Sequence, residues 1–214
     1  RDPTSDLAVL KIEGKNFPYV KFGDSARTRV GDWVVAIGNP YGLGGTVTAG
    51  IVSALHRNIN GGPSDRYIQT DASINQGNSG GPMFDMNGNV IGINTAIFSP
   101  TGGNIGIGFA IPAEVAAPVV ETLKAGGRVK RGYLGVGIQP LDEGAADALG
   151  LQKNRGELIA RVEPNEAAAK AGIREGDVVV TVGGREVTPD QTLSFLIANQ
   201  PVGARELECP RLEL

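Results

Sequence analysis

Six residues, Gly77-Asn78-Ser79-Gly80-Gly81-Pro82, have the types and the spacing to do chemistry. A serine hydroxyl attacks a carbonyl when it stands exposed on a tight turn beside a base. It also needs N–H groups aimed at the oxyanion that develops. Glycines permit such a turn and let a substrate carbonyl come close to the backbone. The N–H groups of Ser79 and of Gly77, two residues earlier, are the natural donors, with Asn78 between them. The string therefore points to acyl transfer on Ser79. A Gly-rich hairpin loop without chemistry fits the same letters.

Composition narrows the other chemistries. One histidine, His56, and one cysteine, Cys209, exclude His-rich metal cages, multi-cysteine zinc sites and an internal disulfide. No Gly-rich string ends in the Gly-Lys-Ser/Thr of a phosphate loop. No metal and no cofactor is expected. The 214 residues carry 20 Lys and Arg against 23 Asp and Glu, a net charge of -3. With no basic stripe, nucleic acid is not an expected partner. No apolar run reaches the ~18–20 residues of a membrane span. The polar start, Arg1-Asp2-Pro3-Thr4, is no signal peptide, so a leader is either absent or already removed.

The elements that must position Ser79 read as short strands. Glycine is 32 of 214 residues and aromatics are 5%, a balance that suits many turns between short strands. Strands are predicted at 7–12, 33–37, 47–52, 90–93 and 105–111. Asn87-Gly88, between Met83-Phe84 and Val90-Ile91, predicts a hairpin. This first region, residues 1–112, reads as an all-β barrel or sandwich, or as a mixed domain with short helices. A helical stretch follows over 113–125, with Val115, Val119, Val120 and Leu123 on one face. Pro118 places the start of its regular part there, and Gly126-Gly127 stops it. Residues 113–131 thus read as a helical linker. The second region, 132–214, reads as α+β: strands at 134–138, 158–162 and 177–182, with helices at 144–149, 167–171 and 190–199.

Several strings together resemble the HtrA (Deg) family of trypsin-fold serine proteases with attached PDZ domains. They are Asp6 to Ile12, Gly38-Asn39-Pro40-Tyr41-Gly42, Gly50 to Leu55, Gln69-Thr70-Asp71-Ala72 through Gly81, Ile91 to Ile97, and Asn104 to Pro112. Their order and spacing match the family as well, over nearly the whole chain. The resemblance implies a mainly β fold. A trypsin-like double β-barrel, its first barrel incomplete, would precede a C-terminal α+β PDZ domain. It implies Ser79 as nucleophile, Asp6 as the triad acid, and the backbone of Gly77, Asn78 and Ser79 as the oxyanion hole. Alone, Asp6 would read as a strand-end cap. The neutral Asn78 argues against zymogen activation through a new N-terminal ion pair.

In the family the catalytic histidine lies upstream of the triad aspartate. Only five residues precede Asp6 here, and none is histidine. His56 falls at a regulatory loop, about 56–67, and reads as a loop residue. The expectation is a chain that begins inside the protease domain, inactive by itself. By the same resemblance Ile74, Thr95, Ile97 and Phe98 line the primary specificity pocket, though each could be plain core. None is acidic, so cleavage is expected after small aliphatic residues. Arg57 would relay peptide state from the regulatory loop. Tyr133-Leu134-Gly135-Val136 resembles a PDZ carboxylate-binding loop, with Leu134, Val136, Leu193, Leu196 and Ile197 lining the groove. The implied function is ATP-independent proteolysis of unfolded proteins in periplasmic quality control. Unfolded proteins and C-terminal peptides would be the partners, and the full-length protein would be a trimer or larger. A catalytically inactive, PDZ-bearing chaperone or peptide-binding module is the alternative. Pro210 suits a final PDZ strand poorly, so the tail 206–214 reads as atypical and Cys209 as incidental.

Overall fold

In strand β1 (Trp33–Gly38), Val34 and Ala36 are fully buried while Trp33 stays exposed. That period of two is what a strand with one wet face produces. In the computed structural model β1 joins β2 (Thr46–Arg57), β3 (Tyr67–Thr70), β4 (Pro82–Phe84), β5 (Val90–Ile97) and β6 (Gly108–Pro112). They close into an antiparallel barrel in the order β1-β2-β3-β6-β5-β4. Register shifts between Val52 and Ala54, and between Ala54 and Arg57, break the ladder of the long β2. Such bulges bend a strand and help a sheet to close. Val34, Val52, Ile68, Ile74, Met83 and Ile91 fill the interior. The structure describes residues 1–59, 66–141, 143–148, 150, 152–200, 202–203 and 207–208.

The predicted hairpin forms between β4 and β5. Gly88 has φ +80° and its N–H donates to the Asp85 carbonyl at 3.1 Å. The Asp85 carboxylate accepts from the N–H groups of Asn87 (2.9 Å) and Asn89 (2.8 Å) and from the Asn89 amide (3.2 Å). Burial disfavours the charged carboxyl, but the bonds from Asn89 and Asn87 outweigh it and hold Asp85 below the ordinary carboxylate range.

Helix α1 (Ala113–Lys124) runs directly on from β6. Its buried residues, Ala113, Ala116 and Val119, recur at helical spacing. Ala116 and Val119 close a second cluster with Leu7, Tyr67, Phe109 and Ile111. The helix does not begin at Pro118 as expected; it passes through it. Proline removes one main-chain donor there, and the docked apolar face holds the helix regardless. Contacts divide the chain between Val129 and Lys130. Most of the expected linker 113–131 is therefore part of the first unit, because its apolar face needs cover.

Two strand expectations fail. Residues 8–21 form no regular structure, and Leu10, Ile12, Tyr19 and Val20 are exposed. Alternation by itself makes no strand; a ladder partner is needed, and within residues 1–22 only the isolated bridges Asp2–Leu7 and Phe22–Val90 occur. Likewise β6 starts at Gly108, not at residue 105, because Ile105-Gly106-Ile107 turns through Gly106 at φ +85°.

The second unit has one sheet of β7 (Val136–Pro140), β8 (Glu157–Val162) and β9 (Val178–Val179). Helix α2 (Glu143–Ala148) follows β7 and α3 (Ala167–Ala171) follows β8. A small sheet joins β10 (Thr181–Val182), β11 (Arg185–Glu186) and β12 (Leu207–Glu208), with α4 (Leu193–Ala198) between the last two in sequence. The tail reading falls on 206–214; only 207–208 are described, as β12, and Cys209 and Pro210 lie outside the described residues.

Candidate active site

Ser79 is exposed on the turn that leads into β4. Crossed hydrogen bonds tie this turn to β5: Gly80 N–H to the Asn94 carbonyl (2.8 Å) and Asn94 N–H to the Gly81 carbonyl (2.9 Å). Gly77 has φ +103°, and a Cβ there would lie 2.3 Å from the Asn39 carbonyl oxygen. Only glycine meets both conditions. The neighbouring loop reaches in through Asn39 N–H to the Gly77 carbonyl (3.2 Å) and Tyr41 N–H to the Gln76 carbonyl (2.8 Å).

Among the described residues no protein acceptor takes the N–H of Gly77 or of Ser79. These two donors are open to an oxyanion. The N–H of Asn78 is not: it donates to the Asn75 carbonyl at 3.0 Å. The Asn78 N–H is therefore not available to an oxyanion, a correction to the three-residue expectation. Its side chain is buried against Gly38, where a Cβ would meet the Asn78 Cα at 2.7 Å. A carboxylate at that depth would need a paired cation; the neutral amide does not.

The Ser79 hydroxyl donates to the Thr95 carbonyl at 2.9 Å. Asp6 is exposed, at φ +55°, and makes no hydrogen bond to Ser79. Its neighbour Leu7 is buried in the cluster under α1. His56 is held elsewhere: the Arg66 Nη2 lies 2.6 Å from its Nδ1, and Arg66 also pairs with Glu114 at 3.3 Å.

The expected pocket residues divide. Thr95, whose carbonyl takes the Ser79 hydroxyl, and Ile97 lie half-buried on β5, and Phe98 is exposed. Ile74 is fully buried in the barrel core and offers almost no contact surface. Arg57 is exposed, and its Nε donates to the Gln69 side chain at 3.0 Å across the β2–β3 pair. Residues 60–65 of its expected loop lie outside the described residues. Concavity alone points elsewhere, to a cavity of about 530 Å³ lined by Asp24, Asp32, Trp33, Asp85 and Met86. Its carboxylates cap local turns, so the turn chemistry at Ser79 is the better guide.

In the second unit the 133–136 loop keeps the N–H groups of Leu134 and Gly135 free of protein acceptors among the described residues. The carbonyls of Leu134 and Gly135 accept from the N–H groups of Ala168 (2.9 Å) and Glu163 (2.8 Å). Gly135 has φ +74°. At Gly132 a Cβ would stand 2.2 Å from the Ile197 carbonyl oxygen, which seats the loop on the end of α4. Tyr133 is exposed, and Leu134, Val136 and Ile197 are half-buried. Leu193 and Leu196 are fully buried. Three residues apart, they share the face of α4 that turns into the core, so they do not line an open groove. The Glu157 carboxylate accepts from the Leu193 N–H at 3.1 Å. Burial pushes its carboxyl above the ordinary range despite that bond.

Sequence reasoning passed over Asn75 and Asn104 as functional residues. The Asn75 side chain accepts from the Tyr41 hydroxyl and from the Asn104 N–H. Both asparagines stand inside strings already singled out, but nothing in the letters shows that they meet.

Residues 1–93 match the trypsin-like peptidase domain family, and residues 158–208 match the PDZ domain family. A protein of Bartonella henselae named "Probable periplasmic serine endoprotease DegP-like" is 56% identical over 204 residues, covering 94% of this chain and 40% of that protein. The chain thus spans about 40% of the length of that curated relative. A serine-to-alanine variant of the HtrA-type protease AlgW with tripeptide superposes with a TM-score of 0.81 at 43% identity, covering 100% of this chain and 71% of that one. The serine endoprotease from Yersinia pestis superposes at 0.67 with 38% identity, covering 98% and 68%. With Ser79 on its glycine turn in a six-stranded barrel, and a following unit that matches the PDZ domain family, this chain belongs to the HtrA family of serine proteases.

Proposed function

We propose that this chain supplies the nucleophile and oxyanion hole of an ATP-independent serine endopeptidase acting on unfolded proteins in the periplasm. The observation that carries it is the exposed Ser79 hydroxyl beside two uncommitted N–H groups, Gly77 and Ser79. Ser79 Oγ forms a bond to the scissile carbonyl carbon while its proton passes to an imidazole. The carbonyl oxygen becomes an oxyanion held by the two N–H groups. The C–N bond then breaks, the imidazolium protonates the leaving amine, and water releases the acyl group by the reverse exchange. Asp6 orients that imidazole in this reading. The base is a histidine outside these 214 residues, since His56 is engaged by Arg66. The PDZ loop receives a peptide C-terminus on the N–H groups of Leu134 and Gly135. The half-buried Thr95 and Ile97 set a preference for Val, Ala or Ile before the cleaved bond.

A fluorophosphonate probe tests this. The isolated 214-residue chain takes up no adduct, because no base activates Ser79. A longer protein that carries this chain and an upstream histidine takes up one adduct, mapped to Ser79. No adduct in that protein, with retained binding of C-terminal peptides, would support the inactive PDZ-bearing module instead.

A further inference from the structure

Two loops must stand in register for a pocket beside Ser79 to exist. One is 74–78, which carries the oxyanion donor Gly77. The other is 98–107, which leaves β5 and returns into β6. Phe98 N–H to the Ile107 carbonyl (3.0 Å) closes the second loop at its base. Toward its tip the loop is held by two hydrogen bonds that Asn104 donates to the 74–75 segment. The Asn104 N–H donates to Asn75 Oδ1 at 2.9 Å, and Asn104 Nδ2 donates to the Ile74 carbonyl at 3.0 Å. Asn104 Oδ1 accepts from the Gly106 N–H at 2.9 Å, which fixes which way its amide points. Tyr41 adds a longer bond, 3.4 Å, from its hydroxyl to the same Asn75 Oδ1. The Asn75 carbonyl meanwhile takes the Asn78 N–H at 3.0 Å, setting the turn that leaves Gly77 and Ser79 open. One residue thus joins the oxyanion turn, the 39–44 loop and the 98–107 loop. With a single cysteine in the chain, no internal disulfide can do this.

From this geometry we infer that Asn75 is the positioning residue of the site, clasping the 98–107 loop through Asn104 so that pocket and oxyanion hole form together. The inference rests on the endopeptidase reading for its catalytic consequence, and on hydrogen bonding alone for the clasp. The clasp has a chemical asymmetry. Asn75 acts only as an acceptor, so aspartate can replace it. Asn104 must donate through Nδ2 while its Oδ1 accepts, so aspartate would set an oxygen against the Ile74 carbonyl.

The test compares Asn75→Asp, Asn75→Ala and Asn104→Asp in the longer, histidine-bearing protein, with thermal melts to confirm folding. Asn75→Ala and Asn104→Asp lower kcat/KM on a Val-containing peptide on the order of 10–100-fold, as a misplacement of about 1 Å does. They also flatten the preference among Val, Ala and Leu. Asn75→Asp stays near wild type in both. Equal loss in the two Asn75 variants, or no loss in Asn75→Ala, overturns the assignment. If the wild-type protein does not cleave, the endopeptidase reading has failed but the clasp is still decided, in the 214-residue chain, by amide exchange. The Asn104 amide proton is protected in wild type and Asn75→Asp and exchanges fast in Asn75→Ala. Fast exchange in wild type overturns the clasp.

Discussion

At the residue scale, a glycine sets the shape of the turn that carries Ser79. Gly77 must hold φ +103° and keep its α-carbon 's second substituent clear of the Asn39 carbonyl. Gly77→Ala therefore twists the turn that aims the oxyanion donors, while the barrel core stays intact. Loss of one such donor costs about 10²–10³ in rate, and that is the expected fall in fluorophosphonate labelling of the histidine-bearing protein. Labelling within a few-fold of wild type would remove Gly77 from the hole. Ser79 was legible in the letters as a candidate nucleophile, because the glycines around it permit the tight turn an exposed hydroxyl needs. Which N–H groups stay free was not. The Asn78 donor is spent on Asn75, three residues back, and only the folded turn shows it.

At the scale of elements, barrel closure holds the turn in place. Met83 on β4 is fully buried among Val34, Ile68 and Ile91 in the cluster behind Ser79. Met83→Ala should destabilise the first unit by about 2–5 kcal/mol, the usual cost of such a truncation in a packed core. A urea titration with unchanged slope would read it as a shifted midpoint. The β4–β5 hairpin was legible because Asn87-Gly88 is a strong local signal. Helix α1 was legible from its periodicity, but its start was not. Pro118 suggested a later start, and burial of Ala113 and Ala116 against the barrel overrode that local preference. The strand expected over 7–12 failed for the opposite reason: its alternation was present, but no neighbour completes a ladder for it.

Across the whole chain, two units with separate cores should respond to acid in opposite senses. In the first unit Asp85 is held below its ordinary range, so its charged form is favoured by folding. That contribution is present above about pH 4, the unfolded value, and is lost as pH falls through the lower folded value. Asp85→Asn flattens this part of the acid limb. In the second unit burial raises Glu157. Its contribution is fully present below about pH 4.3 and is lost as pH rises through the higher folded value. Residues 130–214 expressed alone should melt cooperatively and gain stability as pH falls through the raised folded value of Glu157 toward about pH 4.3. Glu157→Gln should abolish that gain. A melt of this fragment insensitive to pH, or one identical in Glu157→Gln, would refute the assignment to Glu157.

The amino-acid sequence by itself determined the candidate nucleophile, the strands β1, β2 and β5, the β4–β5 hairpin, the α+β pattern of the second unit and the family resemblance. These rest on local chemistry and on short-range periodicity, which a linear string carries in full. Tertiary structure alone decided that Leu193 and Leu196 face the core and that α1 belongs to the barrel unit. It also decided that His56 is bound to Arg66 and that Asn75 meets Asn104 across 29 positions of chain. Each of these depends on which distant residue covers an apolar face or completes a hydrogen bond, and such partners are chosen only when the strands close.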